Sequence, residues 1–589
     1  MKFLLTAINA KYIHSNPGVY SLKTFAEHQG GICPEGQGLP PVHVEIAEYT
    51  INNQMEQILE DVYVRKPDII GISCYIWNVQ YALDLARDIH KVLPDTDIWM
   101  GGPEVSFDAP VLLKKEPEIL GVMKGEGEET FAALLRAYGK MGCTVRQAQK
   151  DGQTAAEGNL VGFWNDLNQI ANLTWRMDDG EIKDMPLRPV MDMSRIPFLY
   201  PNLEGFEHRI VYYESSRGCP FSCSYCLSSI DKSVRFRDLE LVKKELDFFI
   251  EKKVPQVKFV DRTFNCKKSH AMAIWNYILE HDNGVTNFHF EVAADLIDQE
   301  EMDLIRQMRP GLIQLEIGVQ STNPQTIAEI HRKMNLDEVR QVVAQINAGH
   351  NVHQHLDLIA GLPYEDYDSF RRSFNDVYAM EPEQLQLGFL KVLKGSYMYE
   401  MAENYDLVYR TLPPYEVLST RWLPYSDVLR LKGVENMVEI YYNSRQYTRT
   451  LELLVKEFPD AFTMFERMAE YYSTHHHAGL NHSRLAKYEI LHAFIQDILA
   501  GREAVLEKYE DALMCDVYLR ENSKSRPSFA LDQAPYKNQI RELVPELRTL
   551  GTQVHVEVLR SGEILLFDYR KRDPLTNNAM VECIFKTEE

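Results

Sequence analysis

The segment Glu214-Ser-Ser-Arg-Gly-Cys219-Pro-Phe-Ser-Cys223-Ser-Tyr-Cys226 gathers three of the chain's nine cysteines into eight positions. It follows the apolar run at 209–213, so the three thiols are expected on a loop at the C-terminal end of a strand, the face where barrel enzymes keep their chemistry. Three thiolates in one loop can hold three irons of a cubane cluster, whereas a cluster used only for electron transfer normally has four cysteines. The fourth iron then keeps an open coordination position, the feature that separates catalytic from structural metal sites. A structural zinc site is the alternative. It requires a fourth ligand such as Cys266 or a histidine, and zinc-binding Cys-x-x-Cys pairs usually come twice, whereas no second pair exists here. Cys266 reads more readily as a small buried hydrophobe.

Working outward, residues 206–400 repeat a βα rhythm. The runs RIVYYES, QVKFVD, FHFEVAAD, LIQLEIGV, HQHLDLIAGLP and QLQLGFLKVL alternate with helical segments. Six such strands in order predict a parallel, partly closed (β/α)6 barrel. Residues 1–140 carry a separate series, FLLTAI, HVEIAEYT, DIIGISCY, DIWMGG and EILGVMKGEG, with amphipathic stretches at Met55 to Val64 and Val79 to Val92. This predicts a doubly wound, Rossmann-like α/β domain with its ligand beyond the carboxyl ends of the strands. Residues 141–205 read as a linker with a hairpin around Leu173 to Lys183, turning at Asp178-Asp179-Gly180. Residues 401–589 are expected to be mainly α-helical (Val428 to Tyr442, Thr448 to Ser473, Ser483 to Leu499), closing with the strand pair QVHVEVL and EILLFDY around Arg560-Ser561-Gly562.

The chain has 589 residues, too many for one hydrophobic core. Its 45% hydrophobic and 25% charged content is that of a folded globular protein. The opening MKFLLTAINA reads as a buried strand with no signal-peptide cleavage pattern. No segment has the roughly 20 apolar residues needed to span a bilayer. A cytoplasmic location is expected, and the cysteine usage fits a reducing compartment. A formal net charge of −23 argues against bulk nucleic acid as a partner. The locally basic stretch at 231–268 reads as the solvated faces of a helix and its loops.

The Cys-x-x-x-Cys-x-x-Cys loop, with aromatic Tyr225 before the last cysteine, resembles the hallmark of the radical S-adenosylmethionine (radical SAM) superfamily. The resemblance implies a [4Fe-4S] cluster on Cys219, Cys223 and Cys226. In that family the cluster passes one electron to S-adenosylmethionine, releasing methionine and a 5′-deoxyadenosyl radical that abstracts hydrogen from the substrate. Glu316-Ile-Gly-Val-Gln320-Ser321 resembles the segment that contacts the ribose and amino-acid ends of the cofactor, its acid and amide suited to hydroxyls and an ammonium. Leu358-Ile-Ala-Gly361-Leu-Pro363 resembles the segment on which adenine packs. Asp261 sits where relatives carry a comparable Asp and Phe motif. Glu291 and Arg332 are implied partners for the cofactor's ammonium and carboxylate.

A Rossmann-like domain directly before such a barrel resembles the cobalamin-binding half of cobalamin-dependent radical SAM enzymes. Ile70-Gly-Ile-Ser73-Cys-Tyr75 matches the serine segment around the cofactor's nucleotide tail. Met100-Gly101-Gly102-Pro103-Glu104 matches the glycine turn that lets the tail run deep, and Gly125-Glu126-Gly127-Glu128-Glu129 resembles a third family signature near the end of that domain. Glycines at a strand-to-helix turn give a long ligand access to backbone amides. The Asp-x-His-x-x-Gly motif, whose histidine binds cobalt from below in many cobalamin proteins, is absent. His14 in Asn9-Ala-Lys-Tyr-Ile-His14-Ser-Asn-Pro-Gly18 is its nearest imitation, with the wrong spacing. A domain kept only as scaffold is the alternative. Trp77 and Tyr75 are positioned to stack on a corrin or to join the core.

These readings lead us to expect an oxygen-sensitive enzyme with three cofactors, [4Fe-4S], S-adenosylmethionine and cobalamin, that methylates an unactivated carbon. Its substrate is expected to be a small molecule or peptide, and its electrons to come from an external flavodoxin- or ferredoxin-type donor. Two rivals stand beside it: radical rearrangement, cyclisation or sulfur insertion without methyl transfer, and a non-catalytic cobalamin- or cluster-responsive binding protein. His475-His476-His477 could bind a metal weakly, but Ala478-Gly479 follows as a helix stop and the tract is expected to cap a helix end in solvent.

Overall fold

A computed structural model describes residues 1–29, 42–154, 158–230 and 232–586. The chain divides into two compact units. One comprises residues 1–289, 391–403 and 409–416, the other 290–390, 404–408 and 417–589. No helix among the described residues is long and apolar enough to cross a membrane.

The first unit opens on a seven-stranded sheet in the order β2-β1-β3-β4-β5-β6-β7. Strands β1 (Lys2–Asn9), β2 (His43–Thr50), β3 (Ile69–Ser73), β4 (Asp97–Gly101) and β5 (Gly121–Met123) are parallel. Their near-continuous apolar runs follow from burial on both faces. Two apolar clusters sandwich the sheet. Phe3, Trp99 and Phe131 belong to one, and Leu4, Ile70 and Met100 to the other. The chain leaves β1 for an edge strand and returns to β3 on its other side, which makes the β1/β3 pair a topological switch point. Helix α1 (Pro17–His28) starts there with proline in its first turn and Asn16 accepting from the Val19 N–H at 3.4 Å. Helices α2 (Met55–Arg65) and α3 (Val79–Val92) follow the amphipathic runs read from sequence. The hairpin expected near Leu173 to Lys183 is β6 (Leu173–Arg176) and β7 (Ile182–Asp184), which extend the sheet antiparallel to β5.

The second βα series starts in the same unit with β8 (Val211–Tyr213), paired in parallel with the strand Gln256–Phe259, which pairs in turn with the beginning of Asn287–Val292. The second unit holds three further parallel strands, Ile313–Gln320, His353–Ala360 and Gln384–Phe389. In His353–Ala360 the period-2 alternation separates two faces. Gln354 bonds the Val343 carbonyl and Asn347 on the helix Leu336–Gly349, so His355 and Asp357 stand on the opposite face.

The C-terminal region is helical, as expected, with one correction. Thr448 to Ser473 is two helices, Thr448–Leu454 and Ala461–Thr474, because Pro459 interrupts the ladder and Asp460 caps the second by accepting from the Thr463 N–H at 2.8 Å. The closing sheet has a third strand, Ala579–Phe585, beyond the expected pair Val554–Val558 and Ile564–Arg572. The fold class is therefore α/β: a doubly wound N-terminal sheet, a second parallel βα series, and a mainly helical C-terminal region with a small sheet.

Candidate functional site

The cysteine loop is anchored from beneath. Asp261, fully buried just past the strand Gln256–Phe259, accepts from the Ser215 N–H at 2.9 Å and from the hydroxyls of Ser215 at 2.7 Å and Ser216 at 2.5 Å. Burial pushes its carboxyl up to about 7 against these hydrogen bonds. Asp261 thus spends both oxygens on the chain leading into the loop. His270 lies 3.0 Å from the Ser215 hydroxyl, its imidazole lowered to about 4 by burial and by Lys267. Gly218 takes φ +96°, and a Cβ there would lie 2.7 Å from the Ser233 carbonyl, so only glycine fits. Cys219 and Cys223 are buried and Cys226 is half-buried, none of them in a disulfide, and Tyr225 is half-buried beside them.

Single-ion ligands at bonding distance crowd together, and among the described residues only Glu316, His355 and Asp357 bring three such ligand atoms within 4.8 Å of one another.

Beyond the carboxyl ends of β3 and β4 opens a cavity of about 510 Å³. Ser73, Tyr75, Gly101, Gly102 and Pro103 line it from the strand ends, and Gly125 and Glu126 from the turn after β5. The Ser73 hydroxyl accepts from Asn16 at 2.9 Å. Gly102 takes φ +111°, and a Cβ on it would sit 2.4 Å from the Cys74 carbonyl. Tyr75 stacks on Trp77 at 4.5 Å and 6°. The opposite wall is the cysteine loop and its neighbour strand: Arg217, Leu227, Ser228 and Arg262. Cys226 is thus one residue from a wall shared with the glycine turn.

Two sequence candidates stand apart from this cavity. His14 is not among its walls and places Nδ1 2.6 Å from the Tyr212 hydroxyl, its pKa lowered by burial. Glu104 is buried beneath the glycine turn, where its carboxylate accepts from Tyr415 and lies 3.8 Å from Lys394.

In the second unit, Glu316 stands in register with His355 on the neighbouring strand, and His355 Nε2 lies 3.0 Å from Asp357. Gln320 ends its strand at φ +72°. The Ser321 hydroxyl donates to Glu365 at 2.6 Å, and Ser373 does so at 2.8 Å. Burial lifts Glu365 to about 7. Arg332 donates to the Gly318 carbonyl. Gly361 takes φ +87°, and a Cβ would come within 2.7 Å of Val417. Glu291 is half-buried on Asn287–Val292. Sequence reading missed Glu365, His355, Asp357, Arg217 and Arg262. The i, i+2 spacing of His355 and Asp357 was a usable signal; the partners of the others are set by tertiary contact.

Comparison with known proteins yields three matches to family profiles: a B12 binding domain at residues 4–135, the Radical SAM superfamily at 213–377, and a protein of unknown function family, DUF4080, at 403–564. The cobalamin-dependent radical SAM methyltransferase TokK of Streptomyces tokunonensis is 26% identical over 67% of this chain and 55% of its own length. An anaerobic magnesium-protoporphyrin IX monomethyl ester cyclase of Rubrivivax gelatinosus is 22% identical over 56% of this chain and 57% of its own. The chain therefore spans little more than half the length of these relatives. Among solved structures, the cobalamin-dependent S-adenosylmethionine radical enzyme OxsB with aqua-cobalamin and S-adenosylmethionine bound aligns over 93% of this chain and 81% of its own at 14% identity and a TM-score of 0.57. The methyltransferase TsrM from Kitasatospora setae, with cobalamin and a [4Fe-4S] cluster bound, aligns over 68% and 78% at 17% identity and 0.52.

Proposed function

From the matches to a B12 binding domain and to the Radical SAM superfamily we propose that the chain is a cobalamin-dependent radical SAM methyltransferase, one that uses reductive cleavage of S-adenosylmethionine to methylate an unactivated carbon. The observation that carries this reading is the shared wall: residues next to Cys226 and the glycine turn after β4 line one cavity. When bound, the cluster supplies an electron and an open iron position, and cobalamin supplies a methyl carrier, chemistry that belongs to the cofactors.

The chain's own residues bind and orient. Cys219, Cys223 and Cys226 are the cluster ligands, and Asp261 fixes the approach to their loop. Ser73, Gly101 and Gly102 border the path of the cobalamin tail, and Tyr75 on Trp77 offers a flat apolar wall to a macrocycle. Glu291, Glu316, Gln320, Ser321, Arg332 and Gly361 are assigned to S-adenosylmethionine. Glu104 and His14 are left out of direct cofactor contact. The division into 1–140, 141–205, 206–400 and 401–589 is proposed on the same basis. Electrons come from an external flavodoxin- or ferredoxin-type donor in a reducing cytoplasm. A small-molecule substrate fits the adjoining cavity of about 480 Å³.

Anaerobic reconstitution tests this directly. The expected result is about four irons and one cobalt per chain, deoxyadenosine released on adding reductant and S-adenosylmethionine, and none from a Cys223→Ala protein. Zinc in the loop, or no cleaved nucleoside under strong reduction, defeats the proposal. Cyclisation without methyl transfer is the second reading, favoured by the likeness to the cyclase. A product mass unchanged by one methyl group selects it.

A further inference from the structure

A second cavity, about 480 Å³, adjoins the first and touches the cysteine loop at both ends, through Gly218 and through Leu227 and Ser228. Phe107 and Arg262 are walls common to both. Five cations border the second cavity, and four have a carboxylate partner. Lys124 pairs with Asp184, Arg188 with Glu129 at 2.5 Å, Arg217 with Glu214 at 2.8 Å, and Arg235 with Glu126 at 2.6 Å. Arg262 alone of the five has no carboxylate partner among the described residues. Glu126, Glu129 and Glu214 also line this space, each paired with one of the other cations, so Arg262 is left as its unmatched positive charge. Its backbone is held in place, because the preceding residue is the clamped Asp261.

Part of the remaining wall is apolar and solvent-facing. Phe107, Leu187, Val190 and Ile230 are 45%, 67%, 45% and 50% exposed, and all four line this cavity. Apolar groups left open to water around one concave space, with one charge on its wall left unpaired, are the marks of a ligand site.

We propose that this cavity is the substrate site and takes a small molecule with an anionic head, carboxylate or phosphate, held by Arg262, and an apolar body lying on Phe107, Leu187, Val190 and Ile230. The inference rests on the function proposed above, whose substrate it narrows. Arginine suits this role because its planar fork grips both oxygens of such a head. The same anionic chemistry exists in the phosphate of a cobalamin tail, so the test must tell the two apart.

The probes are octanoate and octyl phosphate, with octanol as the uncharged control, titrated calorimetrically into the anaerobic holoprotein with iron and cobalt content measured for each variant. Octanoate is expected to bind saturably. Arg262→Gln should weaken it at least about tenfold, the loss of one charge-assisted pair, and Arg262→Lys should restore part of it. Leu187→Asp should weaken it independently of Arg262. Equal binding of octanoate and octanol overturns the proposal. So does an Arg262→Gln protein that loses cobalt while its cobalt-loaded fraction binds octanoate as before, which assigns the arginine to the cofactor's phosphate. Deoxyadenosine formation without octanoate binding sinks this inference alone, and octanoate binding without iron loading sinks the proposed function alone.

Discussion

The Arg217 guanidinium lies 3.0 Å from the buried carboxylate of Glu128 and so ties the residue two positions before Cys219 to the helix Glu128–Met141, which packs beneath the N-terminal sheet. The same guanidinium lies 2.8 Å from Glu214 and 3.5 Å from Glu126. Burial alone raises the Glu128 carboxyl, but the adjacent Arg217 charge outweighs it and holds the group below its usual range. The third glycine-acid signature is thus the mechanical link between the B12 binding sheet and the cysteine loop.

Glu128→Ala removes one partner of a nearly enclosed pair and leaves Arg217 charged without its closest deep acid. The expected cost is about 3 kcal/mol, in the range for breaking buried ion pairs, seen as a lower denaturation midpoint. The pH sign follows from the lowered carboxyl. The pair's contribution is fully present above the unfolded carboxylate pKa of about 4.3 and is lost as pH falls through the lower folded value. Wild type should therefore lose stability more steeply on acidification than Glu128→Gln; parallel acid limbs would refute the link.

Asp261 gives the opposite slope. Its folded carboxyl is raised to about 7 by burial, above the unfolded value of about 3.9. The folded chain therefore binds more protons between these values, and this contribution is full below about pH 3.9 and lost as pH rises through 7. Asp261→Asn keeps the shape of the protonated form. The stability difference between wild type and Asp261→Asn should shift in favour of the variant from pH 5 to pH 8, by a few kcal/mol at most; a pH-independent difference would show that Asp261 stays ionised throughout.

What could be read beforehand divides by the range of the interaction. Helix Val79–Val92 was legible to the residue because its apolar positions recur at the helical period. The cysteine loop and glycine turns were legible because their chemistry is written in short spacings. Thr448 to Ser473 was misread because periodicity continues across Pro459, while the break depends on the Asp460 cap. The surroundings of two candidates are set by distant partners. Glu104 is occupied by Tyr415, 311 positions away, and His14 by Tyr212, 198 positions away. Glu316 meets His355 only once the strand register is set.

Gly102→Ala tests the glycine turn. At φ +111° any side chain is strained, by roughly 1–3 kcal/mol, and a Cβ 2.4 Å from the Cys74 carbonyl must push the turn away from β3. Cobalamin affinity, measured by equilibrium dialysis, should fall at least tenfold while iron content stays at the wild-type level. Unaltered cobalamin affinity would mean that the tail does not run past this turn.

Glu365 tests the other unit. It accepts from Ser321 at 2.6 Å and Ser373 at 2.8 Å, and so fixes the turn after Gln320, whose left-handed backbone aims the strand end. Glu365→Ala leaves two enclosed hydroxyls without their acceptor, a cost of about 1–3 kcal/mol for each unsatisfied group. Glu365→Gln keeps an acceptor oxygen and a matching shape, and protonation of Glu365 near pH 7 makes the amide a close mimic. If Ser321 and Gln320 hold S-adenosylmethionine, the dissociation constant for that cofactor should rise at least tenfold in Glu365→Ala and less than threefold in Glu365→Gln, with iron content unchanged in both because the cysteines lie in the other unit. Equal binding by wild type and Glu365→Ala would remove the Gln320–Ser321 turn from the cofactor site.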